Sequence, residues 1–423
     1  MKHWIRTVPL LVLLGLTTKV TAQDELKGYD YIYNPAIHSV KFTPVGLVTS
    51  LPIVALQGGR LELSFDDLDG GTKRYRYVVE YCNRDWTTST LATAEYLSGF
   101  DEDEIRNVTF SSGTRHDYSH YSMTLPNNQM TLIKSGNYLL HVFDSDNGYA
   151  PVLTRRFMLV DKQLVPRAQL VNPLSVTLSR THQQMQLSVN IKDVILADPM
   201  QDIRAVILQN GRWDVAIKDI PPAYQRGDDL VFDQSDNLVF PGGKEFRQID
   251  IRSWRVRTER VQAIEEYNDG FVVFAEPDPI RVYRNYLSER DINGQFIIEN
   301  KVRSLADVQS EYMYTNFILE TEPLDGNPAV YLIGALTDWR CYPQYQLTYN
   351  NDEGGYTGEF LLKQGYYNYF YALSNDEGKT FSTDRTEGNW YETDNEYTIL
   401  LYYRPFGERF DALIGAETIR PYR

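Results

Sequence analysis

The sequence predicts an all-β protein: three consecutive antiparallel β-sandwich domains of immunoglobulin-like or early-set type, following a cleaved signal peptide. Apolar and polar residues alternate in many short runs, turn signals rich in Gly, Asn and Asp separate those runs, and no long stretch has helical periodicity. Of the 423 residues 42% are hydrophobic, and 31 Tyr, 18 Phe and 6 Trp favour folded domains over a disordered chain. The balance of 42 basic against 57 acidic residues, net −15, opposes a nucleic-acid partner. Cys82 and Cys341 stand too far apart and are too few for a disulfide framework or a cysteine zinc site.

The basic start Met1–Arg6, the apolar run Val8–Leu16 and the small-residue end Val20-Thr21-Ala22 read as a secretory signal over residues 1–22. The apolar run is about half the roughly 18 residues a spanning helix needs. Cleavage removes Lys2, Arg6 and Lys19 and takes the charge from −15 to −18. No later apolar run is long enough to span as a helix, and the charge-interrupted strands do not read as an outer-membrane barrel.

The first domain is expected over residues 23–162. Leu61, Leu63 and Phe65 alternate, Asp69-Gly70-Gly71 supplies a turn, and Tyr75, Tyr77, Val79 and Tyr81 alternate on a return strand, which reads as a hairpin with an aromatic face. A second hairpin runs through Asn137–Phe143, turns at Asp144–Gly148 and returns through Leu153–Val160. The polar, proline-containing passage 161–173 reads as a linker. The middle domain is expected over 163–305, with Met185, Leu187, Val189 and Ile191 alternating and Ile203, Ala205 and Ile207 leading to an Asn210-Gly211 turn. Ile251–Arg257 alternates arginine with apolar residues, as a half-buried strand would. The third domain is expected over 306–423, from Tyr314–Leu319 and Ala329–Gly334 through strands around Phe360 and Tyr369 to Tyr397–Tyr403.

Catalytic chemistry has no distinct carrier. His116 and His120 share a face in a strand-like run but stand about 13 Å apart, too far for one metal. Asp66-Asp67-Leu68-Asp69-Gly70 resembles part of a calcium loop without its terminal carboxylate, and a plain Asp-Gly turn fits better. No Gly-x-Ser-x-Gly elbow, Walker loop or His-Glu-x-x-His occurs. Acidic pairs are too many to single out a hydrolase dyad. No enzyme activity, metal or cofactor is therefore expected. Tyr366–Tyr371 places rings on both faces of a strand, which suits either a doubly packed strand or a binding surface.

The series Ser64-Phe65-Asp66-Asp67-Leu68, Tyr81-Cys82-Asn83-Arg84-Asp85-Trp86, Glu95–Phe100, His120-Tyr121, Leu125-Pro126-Asn127, Ser135–Tyr138 and Thr154–Met158 resembles the type IX secretion system plug proteins of Bacteroidota. Gly334–Trp339 and Tyr397–Arg404 agree with it, so the resemblance spans the mature chain. It implies a periplasmic protein that docks on the giant outer-membrane translocon barrel and closes its inner mouth when no cargo is engaged. Its membrane association would be peripheral, through the barrel. Candidate partner-binding residues are Trp86, Tyr96, Phe100, Tyr118 and Tyr121, taken from aromatic segments of the first domain. Val330–Trp339 with Gly365–Tyr369 is similar to glycogen-binding early-set sandwiches. In those modules the tryptophan matching Trp339, a second tryptophan and a lysine hold glucose. Phe370 stands at the lysine position and Phe381 near the second tryptophan, so most of the sugar site is altered. A glycan site using Trp339, Tyr369 and Trp390 is the alternative reading.

Overall fold

The computed structural model describes residues 26–232 and 237–420, so the expected signal at 1–22 lies outside the described residues. Strands dominate, and the two α-helices among the described residues, Pro199–Asp202 and Ala306–Gln309, are single turns. The architecture is the predicted all-β one, three sandwiches packed against one another.

In the first sandwich the sheet of Ile37–Pro44, Leu61–Asp67, Ser119–Leu125 and Asn107–Phe110 faces the sheet of Ala150–Val160, Gly136–Asp144, Tyr75–Cys82 and Glu102–Glu104. Leu61, Leu63 and Phe65 meet Tyr75, Tyr77, Val79 and Tyr81 in one core. Phe65 stacks on Tyr121 at 5.4 Å and Tyr75 meets both rings edge-on. Gly136–Asp144 and Ala150–Val160 form the expected hairpin. The expected hairpin across Asp69-Gly70-Gly71 is instead an arch: Leu61–Asp67 pairs within one sheet and Tyr75–Cys82 within the other. Alternation fixes which face a strand buries but not which strand pairs with it, and two strands facing one core from opposite sheets alternate as a hairpin does.

The middle sandwich places Pro166–Val171, His182–Asn190, Asp229–Val231 and Tyr224–Arg226 against Arg212–Ile220, Ile203–Gln209, Tyr397–Tyr403 and Ala412–Ile419. Ile203–Gln209 and Arg212–Ile220 form a hairpin through Asn210 and Gly211, whose positive φ values of 52° and 71° suit the Asn-Gly pair. Tyr397–Tyr403 departs from the expected 306–423 domain. It pairs with Ile203–Gln209 from Tyr403 opposite Ile203 to Tyr397 opposite Gln209, and its apolar face completes the middle core. The third sandwich is thus inserted into the second. The chain leaves the middle sheet after Val239–Pro241, builds the third sandwich and returns.

That third sandwich also starts earlier than 306, since Arg247–Asp250 and Phe296–Ile298 pair with Gly365–Ser374, and Phe271–Ala275 pairs with Tyr312–Glu320. Gln346–Asn350 joins its two faces by pairing with Ala329–Ile333 and with Gly355–Lys363. The expected strand Ile251–Arg257 is a run of bends: Ser253 Oγ accepts the backbone N–H groups of Arg255 and Val256, and the Arg252 guanidinium turns back onto Asp250. Tyr367, Tyr369, Phe370 and Tyr371 are all buried, so the strand carrying them is packed on both faces.

Candidate functional site

The aromatics proposed from sequence mark seams inside the molecule more than its surface. Trp86 is buried against Trp213 of the middle sandwich, rings 5.0 Å apart, with the Arg156 guanidinium over it. Tyr118 is buried against the third sandwich and its hydroxyl donates to Ser310 O at 2.9 Å. Tyr121 belongs to the first core, and the buried Tyr96 donates to Val79 O. These four are therefore not a docking face, since a strand aromatic packed on a neighbouring domain has the same sequence pattern as one that faces water. Phe100 differs, with 61% of its surface exposed, and Ile133 is also exposed on the ribbon of Leu97–Gly99 and Met130–Leu132.

The sugar-site candidates do not converge. Tyr369 is buried and donates to Asp278 Oδ2 at 2.7 Å. Trp390 lies under the Lys244 ammonium. Trp339 lines a cleft, packed on Phe246 and Phe370, with the Arg212 guanidinium 5.1 Å from its ring centre. Its backbone is left-handed, with φ of 58°, and Gly294 makes room for its indole, which a Cβ there would meet at 2.1 Å.

Charged side chains organise two junctions. Between the first and third sandwiches, Asp66 is buried and receives Lys363 Nζ at 2.6 Å, the Tyr312 hydroxyl at 2.6 Å and His120 Nδ1 at 2.7 Å. Lys363 also donates to Asp307 O at 2.6 Å and lies over the Tyr118 ring. Desolvation would raise the Asp66 carboxyl, but Lys363 and His120 outweigh it and hold it below its ordinary range. The calcium-like acids are thus engaged internally, Asp67 and Asp69 by Lys73. His116 turns away from His120 toward Glu311. A second closed cluster lies within the third sandwich, where Arg247 and Arg281 clasp Glu387 at 2.9 and 2.7 Å. Burial would raise that carboxyl, but the two guanidiniums bring it down to about 2.

Where all three sandwiches meet, a cleft of about 820 Å³ is open to solvent. Lys41, Arg155 and Arg156 come from the first sandwich, Arg212 and Lys218 from the middle one, Arg340 and Lys379 from the third. These seven face four acidic side chains, Asp30, Asp214, Asp338 and Asp384, so the cleft is basic although the whole chain is acidic. Arg155 pairs with Asp338 at 3.3 Å and Arg212 with Asp214 at 2.5 Å. Lys41 instead donates to Phe296 O at 2.6 Å, Arg156 to Gly28 O at 2.8 Å and Arg340 to Asp30 O at 3.3 Å. Burial pushes the Lys41 ammonium down to about 7, and burial, with a smaller push from Arg340, lowers the Arg156 guanidinium to about 10 against the attraction of Asp30.

Residues 37–161 match the family described as type 9 secretion system plug protein 1st domain. The crystal structure of a hypothetical protein from Parabacteroides merdae ATCC 43184 superposes with a TM-score of 0.88 at 31% identity, over 94% of this chain and 100% of that one. The chain belongs to the type 9 secretion system plug family. Dimeric latent PorU from Porphyromonas gingivalis aligns at 10% identity over 91% of this chain and 34% of its own, with a TM-score of 0.14, too low to indicate a shared fold. No functionally curated protein matches the sequence. The family match covers Asp66 and Tyr118 and one wall of the cleft, with Lys41, Arg155 and Arg156. The other two walls lie beyond the plug first domain.

The cleft residues left faint traces in the sequence. Arg155 and Arg156 interrupt an otherwise apolar strand, and Arg212-Trp213 and Trp339-Arg340 pair a cation with an aromatic beside positive-φ positions. That three such traces meet is a property of the tertiary fold.

Proposed function

We propose that this plug-family protein is a periplasmic, non-catalytic subunit that docks on the outer-membrane translocon barrel of the type IX secretion system and seals its inner opening between cargoes. Membership of the plug family carries the reading. The packing supports it, because a seal must keep its shape over a wide opening and each pair of sandwiches is joined by buried contacts. Asp66–Lys363 ties the first sandwich to the third, the Tyr402 hydroxyl donates to Asn137 between middle and first, and Gln183 donates to Tyr391 O and Thr393 O between middle and third.

Reversible docking of this kind calls for about 1,200–2,000 Å² of interface with aromatic anchors, and exposed Phe100 is the anchor we assign. The acidic surface favours a barrel rim bearing Lys or Arg. Affinity purification of the tagged protein from its own envelope, with mass spectrometry, tests the reading. Near-equal recovery of a very large barrel protein, reduced by Phe100→Ala with the fold intact, is the expected result. Absence of any barrel in mild detergent overturns it.

A further inference from the structure

We propose that the cleft at the meeting of the three sandwiches is a binding site for a compact polyanion, a small molecule bearing several phosphate or carboxylate groups. The inference rests on how the cations are held. Lys41, Arg156, Lys218, Arg340 and Lys379 have no carboxylate within ion-pair distance among the described residues. Three of them have their donors on backbone carbonyls and their charges on ring faces: Arg156 lies 4.6 Å from Trp86 and 5.1 Å from Trp213, Arg340 3.5 Å from Tyr29, and Lys41 4.0 Å from Phe296, whereas Lys218 and Lys379 are exposed at the rim. Such contacts orient a cation without neutralising it. Arg340 stands close enough to Arg156, and Arg156 to Lys218, to disfavour charge there, against the longer-range attraction of Asp30 and Asp214. Like charges gathered on three separate domains are costly unless an anion joins them.

The shape favours a small ligand over a polypeptide. A volume near 820 Å³ falls in the roughly 300–1,000 Å³ range of small-molecule sites. The large exposed hydrophobic side chains, Phe100 and Phe406 among them, lie outside the cleft, and the indoles that line it, Trp213 and Trp339, are half-buried and covered by the Arg156 and Arg212 guanidiniums. Because the guanidiniums are already fixed against rings, a ligand with several anionic groups would meet them with little ordering cost. It would also touch all three sandwiches at once, and so tighten their junction. This goes beyond the docking role and can fail without it.

Isothermal titration calorimetry on the purified mature protein, using tripolyphosphate, citrate and a hexaglutamate peptide as probes, tests the proposal. Saturable 1:1 binding of tripolyphosphate or citrate is expected, weakening with added salt. Lys218 and Lys379 are exposed, so the Lys218→Glu, Lys379→Glu double variant keeps the thermal midpoint and weakens binding by about tenfold or more. Arg340→Gln is a second, charge-removing test, and Lys192→Glu, remote and exposed, leaves affinity unchanged. The phosphate and carboxylate arms separate the two anion types. Absence of saturable binding, equal weakening by Lys192→Glu, or tighter binding of the hexaglutamate peptide than of both small anions would each overturn the assignment.

Discussion

Two junctions of this molecule use the same side chains to opposite ends. Where the first sandwich meets the third, Asp66 has a partner on every side, and neither it nor Lys363 sees water. Where all three meet, Lys41, Arg156 and Arg340 are held by carbonyls and rings, with no carboxylate within ion-pair distance among the described residues. Charges buried in full pairing set how domains sit together, whereas charges oriented but unpaired are a surface prepared for something else.

The contrast can be broken most severely at Asp66. Asp66→Ala strands the Lys363 ammonium in a dry seam and should cost about 3–5 kcal/mol in urea unfolding. Asp66→Asn combined with Lys363→Met should return most of that, and a double variant as unstable as Asp66→Ala would show that the ion pair is not what the seam depends on. The Arg247–Glu387–Arg281 cluster sharpens the comparison through pH. Glu387 ordinarily titrates near 4.5 and is held at about 2, so its contribution is fully present above pH 4.5 and is lost as pH falls toward 2. Thermal midpoints across that window should fall steeply for the wild type and less steeply for Glu387→Gln, which starts lower at neutral pH. In the open cleft, Arg156→Met removes a cation but keeps the packing between two indoles and should cost less than about 1.5 kcal/mol. The smallest effect belongs to Lys218→Ala, within about 0.5 kcal/mol of wild type. A loss at Lys218 comparable to that at Asp66 would erase the distinction.

Much of the fold can be read along the chain where partners are near in sequence. Gly136–Val160 and Ile203–Ile220 are hairpins with turn chemistry between alternating strands, and both form as expected. Reading fails where the partner is remote. Nothing local in Tyr397–Tyr403 distinguishes a third-domain strand from one that pairs with Ile203–Gln209. Ile251–Arg257 mixes arginine with apolar residues as a strand would and is still not a strand, because Ser253 breaks the alternation and captures the backbone in a turn. The site follows the same rule. Trp339 stands out in the sequence and does line the cleft, but Asp66 and Lys363, 297 positions apart, share no pattern that a linear reading could join.

The interleaving of the second and third sandwiches also orders events in time. A chain emerging from its N-terminus can close the first sandwich and then the third, while the middle sheet keeps an open, sticky edge at Ile203–Gln209 until its own last strands arrive. The final part made is therefore not an appendage at the end but the keystone of the centre, so a protein cut short before Tyr397 would lose its middle first.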